Sequence, residues 1–246
     1  MSSTQANTLT PGQSNVPFPV FGENITKLHN FVQTTVWFSL LFTLLFNLIT
    51  NFHDTQYRIR ETMPNFILFY QLIQIDQAFE VSWQKANVMS IAMQTLARLT
   101  FGIVSLPYFV NEPNTPIVTL TLMMFCLVES FRYAFYLIKQ LGKEDTSLGR
   151  FLGIVRYNSF IICYPIGALG DWLVLWWARG PVYEAKLLSV EMPNTYNFTF
   201  RFGDLMAVMG ISYFFVFPQI YLYLLQQRKR YFLSQREQKN SDKKDE

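Results

Sequence analysis

Six stretches of the chain are apolar enough and long enough to cross a membrane: 31–50, 64–83, 88–110, 116–138, 151–178 and 205–226. Each is close to the ~20 residues that a helix needs to span a bilayer core. The first is almost unbroken in apolar character. The second carries Asp76 and Glu80, the third Arg98, the fourth Glu129 and Arg132, the fifth Arg156 and Asp171, and the sixth is interrupted by Pro218. The pattern predicts an all-α fold, a polytopic membrane protein built as a bundle of six transmembrane helices. No internal repeat is visible.

Composition agrees. Half of the 246 residues are hydrophobic, 17% are aromatic and only 15% are charged, against about 25% charged in a soluble protein. The net charge of +3 is too small to point to nucleic acid, and most of it lies in the C-terminal tail. Cys126 and Cys163 both fall inside apolar runs, which predicts free buried thiols rather than a disulfide framework.

Three regions follow. Residues 1–28 are polar, with Pro11, Pro17, Pro19, Gly12 and Gly22, and read as a disordered cytosolic arm. They lack the basic start and apolar stretch of a signal peptide, so the first membrane segment is expected to be its own insertion signal. Residues 29–227 form the six-helix membrane domain, and 228–246 a basic cytosolic tail.

Six spans put both ends on one side. That side holds twelve Lys and Arg in the flanks, and the other holds five, Arg58, Arg60, Arg179, Lys186 and Arg201. The excess predicts cytosolic termini. On that side the tail ends Lys243-Lys244-Asp245-Glu246, which resembles the dilysine retrieval signal of endoplasmic reticulum membrane proteins. Asn197-Phe198-Thr199 is a glycosylation sequon in the loop assigned to the lumen.

Charges inside a membrane are costly, so they normally pair or act. Glu129 and Arg132 stand three apart on one helix, a spacing that lets them pair, and packing is the expected role. Arg98 is placed to answer Asp76 or Glu80 from a neighbouring helix. Arg156 lies near the cytosolic end of its helix, where it snorkels or meets an anionic head group.

Tyr164 and Asp171 read differently. Seven residues are about 700° of helix, so both side chains leave one face, about 10 Å apart along the axis. Between them on that face lie Gly167 and Ala168, an almost bare floor. A phenol and a carboxylate over such a floor, beside Pro165, predict a ligand site in a helix that bends there.

Cys126 and Arg132 have the Cys-x5-Arg spacing of a tyrosine phosphatase loop. That chemistry needs free backbone amides around phosphate. The residues between them read as mid-helix, lack glycine and include Glu129, so phosphatase activity is rejected. His29 and His53 are the only histidines, no phosphate-binding glycine loop is present, and neither a metal nor a cofactor is expected.

Glu129-x-x-Arg132-Tyr133-x-Phe135-Tyr136, Arg156-Tyr157-x-x-Phe160, Tyr164-Pro165-Ile166-Gly167 and Gln94-x-x-x-Arg98 together are similar to the 3-hydroxyacyl-CoA dehydratase family, also called the protein-tyrosine-phosphatase-like family. The resemblance spans over a third of the chain, roughly Glu80 to Trp172. It implies the third step of very-long-chain fatty acid elongation, removal of water from a 3-hydroxyacyl-CoA to give the trans-2-enoyl-CoA. It also implies the elongase, ketoacyl reductase and enoyl reductase as partners. The family's catalytic pair is a tyrosine and, seven residues later, a glutamate; here these are Tyr164 and Asp171, with aspartate in place of glutamate. Trp83 stands where members often carry a histidine. Arg98, Glu129, Arg132, Arg156 and Gly167 are the supporting or substrate-binding positions. The chemistry suits Asp171 as base and Tyr164 as acid, with the reverse left open by sequence. A weakened or inactive relative that holds elongation enzymes together, or a non-enzymatic lipid-binding or transport protein, are the alternatives.

Overall fold

The computed structural model describes residues 23–50, 99–105 and 116–242. Four long helices dominate: α1 (Glu23–Thr50), α2 (Pro116–Gln140), α3 (Ser147–Glu184) and α4 (Phe202–Asp242). A π-helical turn, Thr100–Ser105, packs against α3. All four helices are long and apolar enough to cross a membrane. Among the described residues there is no strand, only an isolated bridge between Val190 and Phe200. The expected span 64–83 lies outside the described residues, as do Arg98, Asp76, Glu80 and all of 88–110 except 99–105.

The helices are longer than the hydropathy runs. α1 starts at Glu23, so the last six residues expected in the disordered arm are helical. α4 continues beyond 226, through Arg228, Lys229 and Arg230 to Asp242. After Pro218 it meets no glycine or proline, and Gln, Arg, Lys and Leu are good helix formers. The limit of apolar character is therefore not the limit of the helix. Thr146 caps α3, its hydroxyl accepting from the Gly149 amide at 3.1 Å.

α1 has no carboxylate to anchor it after Glu23. It packs instead by Trp37, Leu40, Leu41 and Leu44 against Val118, Leu122, Cys126 and Tyr133 of α2. Its hydroxyls turn back on the helix: Thr34, Thr35, Ser39, Thr43 and Thr50 each donate to the carbonyl four residues earlier. Such bonds satisfy these five hydroxyls in hydrocarbon. Asn30 donates to Gln140 Oε1 at 2.8 Å and ties the start of α1 to the end of α2.

α3 is the central element. α2 lies along it, and α4 packs on it through Leu175, Ala178, Val182, Met206 and Met209 near the 184–202 loop. Near the 140–147 loop, Ala134, Phe135 and Leu152 are covered by Tyr157 and Tyr231, whose rings stack at 4.1 Å. Phe42, Ile162, Phe214 and Phe215 point outward, the arrangement expected of helices whose solvent is lipid.

Pro165 does not interrupt α3. Proline removes the donor to the carbonyl four residues back, here Ile161. Tyr221 of α4 donates to that oxygen instead, at 3.3 Å. The loop between α3 and α4 carries its own ionic cluster. Lys186 donates to Glu191 at 2.5 Å and Arg201 lies 3.6 Å from the same carboxylate. The hydrogen bond from Lys186 holds the Glu191 carboxyl below the usual carboxylate range. Asn197 of the sequon is exposed in this loop.

Candidate active site

Tyr164, Ala168 and Asp171 share one face of α3, as their spacing requires, and line one cavity of about 120 Å³. α2 closes a second side with Met124, Phe125, Val128 and Glu129, and α4 a third with Tyr213, Phe217 and Ile220. The walls are apolar apart from two carboxylates and two phenols. Asp171 is only 6% exposed. Gly167 is buried beside this face rather than on its floor: a Cβ there would stand 3.1 Å from Cε1 of Phe125. The bare residue leaves room for the Phe125 ring, which is itself a wall.

The Asp171 carboxylate does not stand alone in this low-dielectric groove. The hydroxyl of Tyr213 donates to its Oδ2. Tyr213 comes from α4, 42 residues further along the chain. Sequence reasoning missed it. The only signal was a polar pair, Ser212-Tyr213, in an otherwise apolar run, and aromatic residues are common there.

Glu129 was expected in a packing pair, and the pair is present: Arg132 Nε lies 3.0 Å from Glu129 Oε2. The carboxylate is 1% exposed and also lines the cavity. Arg132 donates further to the Tyr133 hydroxyl at 2.7 Å. The guanidinium neutralises Glu129, so a second carboxylate near Asp171 does not bring an unbalanced negative charge.

A smaller cavity, about 40 Å³, is lined by Arg132, Arg156, Tyr157, Phe160 and Gln227. It shares Val128 and Tyr164 with the first. Arg156 donates to the Tyr136 hydroxyl at 2.5 Å and its guanidinium lies 4.6 Å from the ring centroids of both Tyr136 and Tyr157. Among the described residues no carboxylate is paired with Arg156. Tyr164 therefore stands between a carboxylate below and a cation above. Arg98 is outside the described residues.

Cys126 and Arg132 cannot form a phosphate loop. Both lie within the continuous helix α2, whose amides are engaged along the helix, and Cys126 is 1% exposed in the hydrophobic core. Cys126 and Cys163 are free thiols. Among the described residues no three His, Cys, Asp or Glu side chains come together as a metal site.

The family model described as protein tyrosine phosphatase-like protein, PTPLA, matches residues 77–234. The chain belongs to this family. The matched segment contains every cavity-lining residue named above. The chain is 27% identical over 209 residues to very-long-chain (3R)-3-hydroxyacyl-CoA dehydratase 2 of Homo sapiens, covering 82% of this chain and 78% of that one. It is 26% identical over 204 residues to very-long-chain (3R)-3-hydroxyacyl-CoA dehydratase 1 of Mus musculus, covering 82% and 70%. Over a shorter stretch of 113 residues it is 35% identical to very-long-chain (3R)-3-hydroxyacyl-CoA dehydratase hpo-8 of Caenorhabditis elegans, covering 46% and 50%. No solved structure matches the chain significantly.

Proposed function

We propose that this membrane protein is a very-long-chain (3R)-3-hydroxyacyl-CoA dehydratase, a hydro-lyase that works without a cofactor. The observation that carries the reading is the shared cavity of Tyr164 and Asp171, in a chain whose curated relatives are named as such dehydratases.

The reaction needs two proton transfers. A hydrogen beside a thioester carbonyl is weakly acidic and hydroxide leaves poorly, so one group removes a proton while another protonates the leaving oxygen. Asp171 takes the proton from C2. The C2–H electrons become the second bond of the C2=C3 double bond, and the C3–O bond breaks. Tyr164 gives its proton to the departing oxygen, which leaves as water. The proton on Asp171 then returns to the Tyr164 phenolate, and both groups are restored. The apolar walls of the cavity exclude bulk water, which strengthens each charge-assisted contact. Arg156 lies toward the 140–147 end and suits a phosphate of coenzyme A arriving from the cytosol. Glu129 and Arg132 hold α2 against the site, and Gly167 keeps room for Phe125.

The same reading places six spans in the endoplasmic reticulum membrane with both termini cytosolic. The Lys and Arg asymmetry and the Lys243-Lys244 ending support it. The substrate would pass between this protein and the elongase and reductases of the elongation cycle.

One observation favours a second reading. Aspartate at 171 is a methylene shorter than the glutamate that the resemblance leads one to expect, which fits a weakened relative that scaffolds the elongation enzymes. Conversion of 3-hydroxyacyl-CoA to the trans-2-enoyl-CoA by the purified full-length protein separates the two. Turnover by the parent supports the enzyme. No turnover by the parent together with turnover by Asp171→Glu supports the scaffold.

A further inference from the structure

The aspartate at 171 has a partner that suits its short reach. An Asp carboxylate turns about Cβ–Cγ in a broad, nearly two-fold well. Left to itself in a cavity it would sample many directions. A charge-assisted hydrogen bond is short and strong enough to choose one of them. Tyr213 donates such a bond to Oδ2.

The position of Tyr213 is itself fixed. Trp172, the residue after Asp171, donates from Nε1 to the Gly210 carbonyl at 3.1 Å, three residues before Tyr213. Its ring meets Phe214 edge-on, with centroids 5.7 Å apart. Two turns further along α4, Tyr221 is anchored on the Ile161 carbonyl. Hydrogen bonds between α3 and α4 thus flank Tyr213 on both sides. The height of Tyr213 beside Asp171 is set by these neighbouring contacts.

We infer that Tyr213 is a positioning residue: its hydroxyl pins Oδ2 of Asp171 and so aims the carboxylate at the C2 hydrogen of the bound acyl thioester. The inference rests on the dehydratase reading. It explains how an aspartate can serve in this cavity. The direction of the short side chain is set from α4 instead of by its own length. A misplacement of about 1 Å costs on the order of 100-fold in rate, so the orientation is worth a comparable factor. Among the described residues, the ionisable groups that line the cavity with Asp171 are Glu129 on α2, Tyr164 and Cys163 on α3 and Tyr213 on α4, and the π-helical turn contributes none. Among the described residues, Tyr213 bonds to it from α4.

The experiment is a double-mutant cycle on the full-length protein, with kcat, KM and the isotope effect of substrate deuterated at C2. Tyr213→Phe keeps the ring and removes only the hydroxyl. It should lower kcat by about 10- to 100-fold, leave KM within about two-fold and raise the isotope effect, because proton removal becomes slower. In the Asp171→Asn background the same change should cost almost nothing further. Parent-like kcat and isotope effect in Tyr213→Phe would overturn the inference. So would an equal, additive loss in the Asp171→Asn background, which would mean that Tyr213 acts on substrate or on the fold directly. A parent with no turnover defeats the dehydratase reading but leaves the bond testable. The carboxylate stretch of Asp171, isolated as the infrared difference between parent and Asp171→Asn, should shift in Tyr213→Phe. An unshifted band overturns the inference without reference to activity.

Discussion

Tyr221 donates its hydroxyl to the carbonyl of Ile161, the acceptor that Pro165 leaves without its helical partner. A proline one residue after Tyr164 thus costs α3 no buried carbonyl, because a side chain from α4 replaces the missing amide. The substitution Tyr221→Phe keeps the ring contacts with Phe160 and Phe217 and removes only this bond. It should destabilise the detergent-solubilised protein by about 0.5–1.5 kcal/mol, read as a fall in melting temperature. In a Pro165→Ala background, where the helix supplies its own amide, the same change should cost little. Equal losses in both backgrounds would show that the hydroxyl serves something other than the proline.

The ion pair of Glu129 and Arg132 is unequal. Glu129 is almost completely enclosed, whereas the Arg132 side chain retains 22% exposure and a second partner in Tyr133. Removing one member of a buried pair strands the other, at roughly 3–5 kcal/mol in soluble proteins. Arg132→Ala should therefore reduce folded yield more than Glu129→Ala, measured by size-exclusion chromatography of the membrane extract. A variant that folds like the parent and is inactive would move its residue from packing to chemistry.

Two glycines of α3 make opposite demands. A side chain at Gly170 would overlap Thr121 of α2, which is fully buried. Gly170→Ala should force the helices apart and abolish folded protein, and adding Thr121→Ala should restore part of it. At Gly167 the neighbour is the Phe125 ring, which can tilt. Gly167→Ala should fold, but the displaced ring narrows the cavity, so KM should rise by several-fold with a smaller change in kcat. A KM equal to the parent's would mean that Phe125 does not border the substrate.

The topology has its own test. A glycosylation acceptor fused to the C-terminus should stay unmodified in microsomes, as twelve flanking Lys and Arg against five require. Changing Lys243 and Lys244 to Ser should let part of the protein reach later compartments.

Hydropathy alone located α1, α2, α3 and α4, because lipid-facing helices must be apolar along their length. It misplaced their ends, since α1 and α4 run on as helix where the sequence turns polar. The Tyr164–Asp171 relation was legible because it lies within one helix, where a separation of seven fixes the face. Glu129–Arg132 was legible for the same reason. Tyr213 was not. Its meaning depends on which face of α4 meets α3 and at what height, and neither follows from the sequence of α4. The substitute donor for Ile161 was hidden likewise. Local constellations can be read from spacing, whereas those made across helices need the packing.

In the proposed reaction Asp171 and Tyr164 exchange protons with a 3-hydroxyacyl-CoA. The most direct measurement is the rate at which purified parent, Asp171→Asn and Tyr164→Phe form trans-2-enoyl-CoA, each first shown to be folded. Asn keeps the size and hydrogen bonding of the aspartate while removing the base, and Phe removes only the hydroxyl. The parent should turn over substrate, and each variant should lose about 100-fold or more. An Asp171→Asn protein that forms enoyl-CoA as fast as the parent would contradict it.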